Sequence, residues 1–267
     1  MDQSASTPAG DPSGRPGVDL PRWFLIAEIV VVLALSLGRS AVDAVVDLLR
    51  ALAKGPLGSQ QATLNSSQDS DPWFDLLQQL IGIAFTLVPV VLVVLLLTVS
   101  AGTLSRALGS LGLDGTRRLR DLVHGLLLAA CIGLPGLALY YAGRALGATL
   151  EVIPAALDAH WWTVPVLILQ AVKNAVVEEV IVVGYLTRRL EALGVGAAGV
   201  LAITAVLRAS YHLYQGIGPG LANMVMGLVF TQYFRRTGRV LPLVLAHTLL
   251  DVVAFVGYAL LKSVLPL

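Results

Sequence analysis

Seven side chains in the second half of this chain could do chemistry together: Lys173, Glu178, Glu179, Arg208, His212, His247 and Asp251. They are ionisable residues set in long apolar runs. An ionisable group near a bilayer centre costs about 2.5–3.5 kcal/mol on insertion scales, so it usually faces a polar interior and has a use. Positions four apart share a helix face. Arg208 and His212 are therefore expected on one face, His247 and Asp251 on another. Asn174, Glu178 and Tyr185 make a third stripe, with Glu179 about 100° round from Glu178. Three helices would each turn a polar face toward one shared, water-containing cavity. Carboxylates and imidazoles meeting there suit hydrolysis, because Glu can act as general base and later as acid. Histidine can bind a metal or stabilise a developing oxyanion. Glu178, His212 and His247 could hold Zn2+ or another divalent ion that activates water. A glutamate mechanism without metal is the other reading.

The elements that must position these groups follow from composition. Of 267 residues, 56% are hydrophobic and only 13% charged, about half the charge of an ordinary soluble domain, so lipid must be a partner. The formal net charge of +1 excludes a nucleic-acid binder, and a single cysteine, Cys131, excludes an intramolecular disulfide. The expected class is all-α: a polytopic membrane helix bundle of about seven transmembrane helices with its N-terminus cytoplasmic. Residues 1–20, rich in Pro, Gly and Ser, read as a disordered cytosolic tail, and residues 21–267 as the transmembrane domain. The first span starts at Trp23 and turns amphipathic where Arg39, Asp43 and Asp47 interrupt it, packing on the bundle or the interface. The others are placed at about 74–99, 122–142, 163–186, 196–214, 221–234 and 240–261. With these boundaries, eleven Lys/Arg fall on the N-terminal side and three (Lys54, Arg144, Lys262) on the other, which orients the chain. A bacterial plasma membrane is the expected location.

The motifs carry a resemblance. Glu178 and Glu179 in VVEEVIVVGYLTRR, His212 in LRASYHLYQG, and His247 with Asp251 in LAHTLLD resemble, in order and spacing, the CPBP family of intramembrane proteases. That family groups CAAX prenyl endopeptidases with bacteriocin-processing and Abi-like proteins. The resemblance spans about residues 105–255. It implies an intramembrane endopeptidase acting on a peptide or membrane-protein substrate. Glu178 would activate water with His212, while His247 and Asp251 would polarise the scissile carbonyl or complete a metal site. Two positions depart from the pattern: the family arginine falls at Val183 and the family phenylalanine at Arg208. Arg208 is expected to replace the missing arginine by pairing with Glu178 and Glu179 across a helix interface.

Blander readings stand beside these. The two glutamates could snorkel toward Arg188, His212 could be a helix-end histidine, and His247–Asp251 a packing pair. Lys173 and Asn174 read as structural, His124 and His160 as solvated, and Trp161 with Trp162 as an interfacial belt. Gly216-x-Gly218-x-Gly220 lacks the βαβ context of a nucleotide fingerprint. A catalytically silent scaffold of the same fold is the alternative that Val183 favours. A proton-coupled transporter would also use buried acids and histidines, but no internal repeat supports it.

Overall fold

The computed structural model describes residues 20–261; the expected N-terminal tail (1–20) lies almost wholly outside the described residues. Among the described residues, ten α-helices carry the fold: α1 (Arg22–Ala34), α2 (Leu37–Lys54), α3 (Pro72–Ala101), α4 (Leu104–Ser110), α5 (Arg118–Ala145), α6 (Thr163–Glu178), α7 (Leu186–Ala192), α8 (Ala197–Ser210), α9 (Ile217–Thr237) and α10 (Leu241–Leu261). One feature departs from an all-α chain. Strands β1 (Gln61–Thr63) and β2 (Glu151–Ile153) pair in parallel and tie two long loops together at one end of the bundle.

Local sequence explains the long helices. α3 starts where Asp71 Oδ1 accepts from the Trp73 and Phe74 amides, with Pro72 in the first turn where its missing N–H is harmless. At 30 residues it runs about 45 Å, more than the hydrocarbon core requires. Together with α5 and α10 it is long and apolar enough to cross a membrane. α1 and α2 pass that test only as a pair, bent by 53° at Leu35–Ser36. Of the seven spans expected, three among the described residues are single helices long and apolar enough to cross a membrane, or four with the bent pair. The fourth expected span is broken into α6, a π-helical turn (Glu179–Tyr185) and α7, and the fifth is only the 14-residue α8. Both carry the polar groups that make a hydropathy profile uneven.

α10 packs along α5 and α6, and α8 along α9. The main core gathers Val180–Val183, Leu186, Phe230, Phe234, Leu243 and Ala246 around the π-helical turn. Two further buried ion pairs brace this core. Arg189 Nε donates to Glu28 Oε1 at 2.8 Å, tying α7 to α1. Arg239 grips Asp121 at 2.6 Å and Asp114 at 3.0 Å at the inner turn before α10. That guanidinium, with the Thr116 amide and hydroxyl, holds the Asp114 carboxyl well below the usual carboxylate range.

Candidate functional site

The π-helical turn decides where the acids point. Its bonds run i→i+5, so it holds one residue more per turn than the α-helix on either side. Asn174 and Glu178, still in α6, keep the common face expected of them. Tyr185, expected on the same stripe, is carried round to the Arg189 guanidinium, 5.5 Å from its ring. Glu178 and Glu179 are both reached by one side chain from α8.

That side chain is Arg208, fully buried. Its Nη1 donates to Glu179 Oε1 at 2.8 Å and its Nη2 lies 3.3 Å from Glu178 Oε2. The expected cross-helix pairing is thus present as geometry. Gly227 of α9 makes room for it, since a Cβ there would come within 3.1 Å of Ala205 Cα and 3.2 Å of Arg208 Cδ. Val183, where the family arginine falls, is wholly inside the apolar core, so the cation has to come from elsewhere. The two glutamates do not reach toward Arg188, which instead donates to the Ser110 carbonyl.

Glu179 is the more confined acid. Its Oε1 takes the Arg208 bond and a second from His247 Nδ1 at 2.7 Å. The short contact to a carboxylate assigns the Nδ1 proton to that bond, leaving Nε2 on the side of Asp251, 3.7 Å from Oδ1. Glu178 accepts the Tyr211 hydroxyl at 3.0 Å and keeps some exposure, 8% against 0% for Glu179. Asp251 accepts from Asn174 Nδ2 at 3.2 Å.

His212 lies beyond the C-terminus of α8, where it precedes the one-turn 3-10 helix Leu213–Gln215. Its Nδ1 bonds the Arg208 carbonyl at 2.9 Å, which fixes the ring and makes Nε2 the acceptor in its neutral form. The ring is tilted against Tyr211, with centroids 4.8 Å apart, and lies within electrostatic range of Glu178. It shares the site, though as a helix-end residue.

Tyr211 belongs to this site and was not singled out from sequence, and Asn174, placed on the Glu178 stripe but read as structural, belongs to it too. Tyr211 had a signal, its position beside His212. Asn174 had one too, four residues before Glu178. His124 and His160, expected in solvent, are instead half-buried: His124 Nδ1 contacts the Tyr233 hydroxyl at 2.7 Å, and His160 stacks on Trp162.

Among the described residues, Glu178, Glu179 and His247 each bring one potential ligand atom within 4.8 Å of the others. This differs from the expected trio, with Glu179 standing where His212 was placed. The donor set does not suit a divalent ion as arranged. Arg208 already spans both carboxylates and approaches His247 Nδ1 at 3.3 Å, so a fixed positive charge lies where the ion would sit. His247 Nδ1 also spends its proton on Glu179, so that nitrogen offers no lone pair to an ion between the two glutamates.

A buried, charge-paired Glu/His/Asp cluster between apolar helices is compatible with hydrolysis. Residues 160–253 match the family described as Type II CAAX prenyl endopeptidase Rce1-like, which bears out the resemblance read from the motifs over that stretch. That family is one of proteases, and the buried cluster is compatible with such an activity. No curated protein and no solved structure matches the chain significantly.

Proposed function

We propose that this chain is an intramembrane endopeptidase in which Glu178 activates water without a resident metal. One observation carries the reading: two buried carboxylates, with one held by Arg208 and His247 and the other left partly accessible. The immobile Glu179 positions the cation and the imidazole. Glu178, steadied by the Tyr211 hydroxyl, is the general base.

In this mechanism water bound at Glu178 loses a proton to the carboxylate while its oxygen adds to the scissile carbonyl carbon. His212 Nε2, an acceptor in the tautomer its backbone bond sets, helps orient that water. His247, when protonated, donates from Nε2 beside Asp251 to the developing oxyanion. Glu178 then returns the proton to the departing amine, the peptide C–N bond breaks, and the carboxylate is restored. Arg208 offsets one of the pair's two negative charges throughout.

A membrane-anchored or membrane-associated peptide is the substrate class this depth supports, and the name of the matched family points to prenylated C-terminal segments. The arginine bias of one set of loops supports a cytoplasmic N-terminus in a bacterial plasma membrane. The test is cleavage in native membranes with Glu178→Gln, which keeps shape and removes the base. Uncut peptides should accumulate and turnover should fall about 10²–10⁴-fold. Wild-type cleavage by this variant would end the assignment of Glu178 as the base, and no cleavage by the unaltered chain would favour the scaffold role.

A further inference from the structure

A hydrolytic site among lipid-facing helices needs water, and the structure contains a polar line that runs toward it from the loop end of the bundle. It starts at Asp75, whose Oδ1 accepts the Gln68 amide at 2.6 Å. One turn further along α3, Gln79 Nε2 contacts the same carboxylate at 3.4 Å and the Ser66 carbonyl at 3.0 Å. Gln79 Oε1 accepts from Gln170 Nε2 of α6 at 2.9 Å, and Gln170 Oε1 accepts from Lys173 Nζ at 2.7 Å. Lys173 precedes Asn174, the partner of Asp251, and its ammonium is within electrostatic range of both Asp251 and Glu178. Gln170, Asn174 and Glu178 recur every four residues, so one face of α6 stays polar over about 12 Å.

Asp75, Gln79 and Gln170 are all buried. Burying this many polar groups between two apolar helices gains little over a packed apolar seam, and half-satisfied networks are worse than none. A small pocket of about 10 Å³, room for one water, opens beside Asp75 and Gln79 between α3, α6 and the loop at Leu157–Asp158. At the far end, Glu179 Oε2 and Arg208 Nε are buried without a protein partner. The hydrogen bonds therefore run from a water-sized pocket at the loop end to Lys173, and the polar face of α6 continues through Asn174 to Glu178, beside these unpartnered atoms.

We infer that Asp75, Gln79, Gln170 and Lys173 line the route by which water reaches Glu178 from the loop end. Its purpose rests on the protease reading, but the route is tested without reference to cleavage. In a Cys131→Ala background of the full chain in membranes, single cysteines replace Gln79, Gln170 or the lipid-facing Leu169, which is 44% exposed. The probe is a charged, membrane-impermeant methanethiosulfonate. Cysteines on the line should react about tenfold or more faster than Leu169→Cys, because a thiol in apolar surroundings stays protonated and inert. Equal or slower reaction at both positions would overturn the route. Lys173→Cys gives the same reading if Gln170→Cys fails to fold. Loss of the protease reading through Glu178→Gln would leave a positive labelling result standing, so the two failures are distinguishable.

Discussion

Removing Arg208 should unfold the site before it alters chemistry, and the size of the effect can be worked from its contacts. The guanidinium is fully buried and spans Glu179 at 2.8 Å and Glu178 at 3.3 Å. In Arg208→Leu both carboxylates stay buried, while the cation-forming neighbour left at hydrogen-bond distance among the described residues is His247 on Glu179. Breaking a buried pair by deleting one partner costs about 3–5 kcal/mol, because a charge is stranded out of water. A loss of that size is a large share of a typical total stability of about 5–15 kcal/mol. Thermal unfolding of purified protein in lipid nanodiscs should show it as a fall in midpoint, with cleavage lost in parallel. Arg208→Leu combined with Glu179→Gln removes one of the two carboxylates left without the guanidinium, so part of the stability should return while cleavage stays absent. The coupling between the two changes should be about 0.5–3 kcal/mol, as for residues in one ion-pair network. Arg208→Lys keeps the charge but loses the two-pronged reach and should fall between. Wild-type stability and cleavage in Arg208→Leu, or strictly additive losses in the double variant, would refute the reasoning.

The remaining expectations are simpler. Tyr211→Phe removes a hydrogen bond to the Glu178 carboxylate, so stability should drop by about 1.5–3 kcal/mol in an unfolding assay and cleavage should slow without a matching loss of substrate binding. Treatment with a strong chelator should leave both unfolding midpoint and cleavage unchanged, since the Arg208 guanidinium already occupies the space between the carboxylates; inactivation reversed by added Zn2+ would contradict this. Arg239→Ala should destabilise by about 3–5 kcal/mol, because it strands the buried Asp121, and Asp121→Asn should recover part of the loss.

Much of the site was legible in the chain because its residues are misfits there. Glu178, Glu179, Arg208, His247 and Asp251 are charges in apolar runs, and i,i+4 spacing alone told that His247 and Asp251 share a face. The absence of arginine at Val183 and its presence at Arg208 were enough to expect a cross-helix pair. Spacing also gave Asn174 its place beside Glu178, though not its partner Asp251 on α10.

Other features depend on three-dimensional packing. A hydropathy profile records apolar length and cannot see that Glu179–Tyr185 forms a π-helical turn, because the i→i+5 register is a choice among backbone bonds that tertiary contacts decide. That choice moved Tyr185 to Arg189 and broke the fourth expected span into α6, the turn and α7. The partition of labour between the two glutamates was likewise invisible. Glu178 and Glu179 are neighbours of identical chemistry, and only the positions of Arg208, His247 and Tyr211 on three other segments make one acid a fixed anchor and the other an accessible base. Composition and spacing therefore determined which residues must leave lipid and find one another. Which oxygen meets which donor was decided by the close packing of helices around them, since a hydrogen bond needs a separation within a few tenths of an ångström that no one-dimensional pattern specifies.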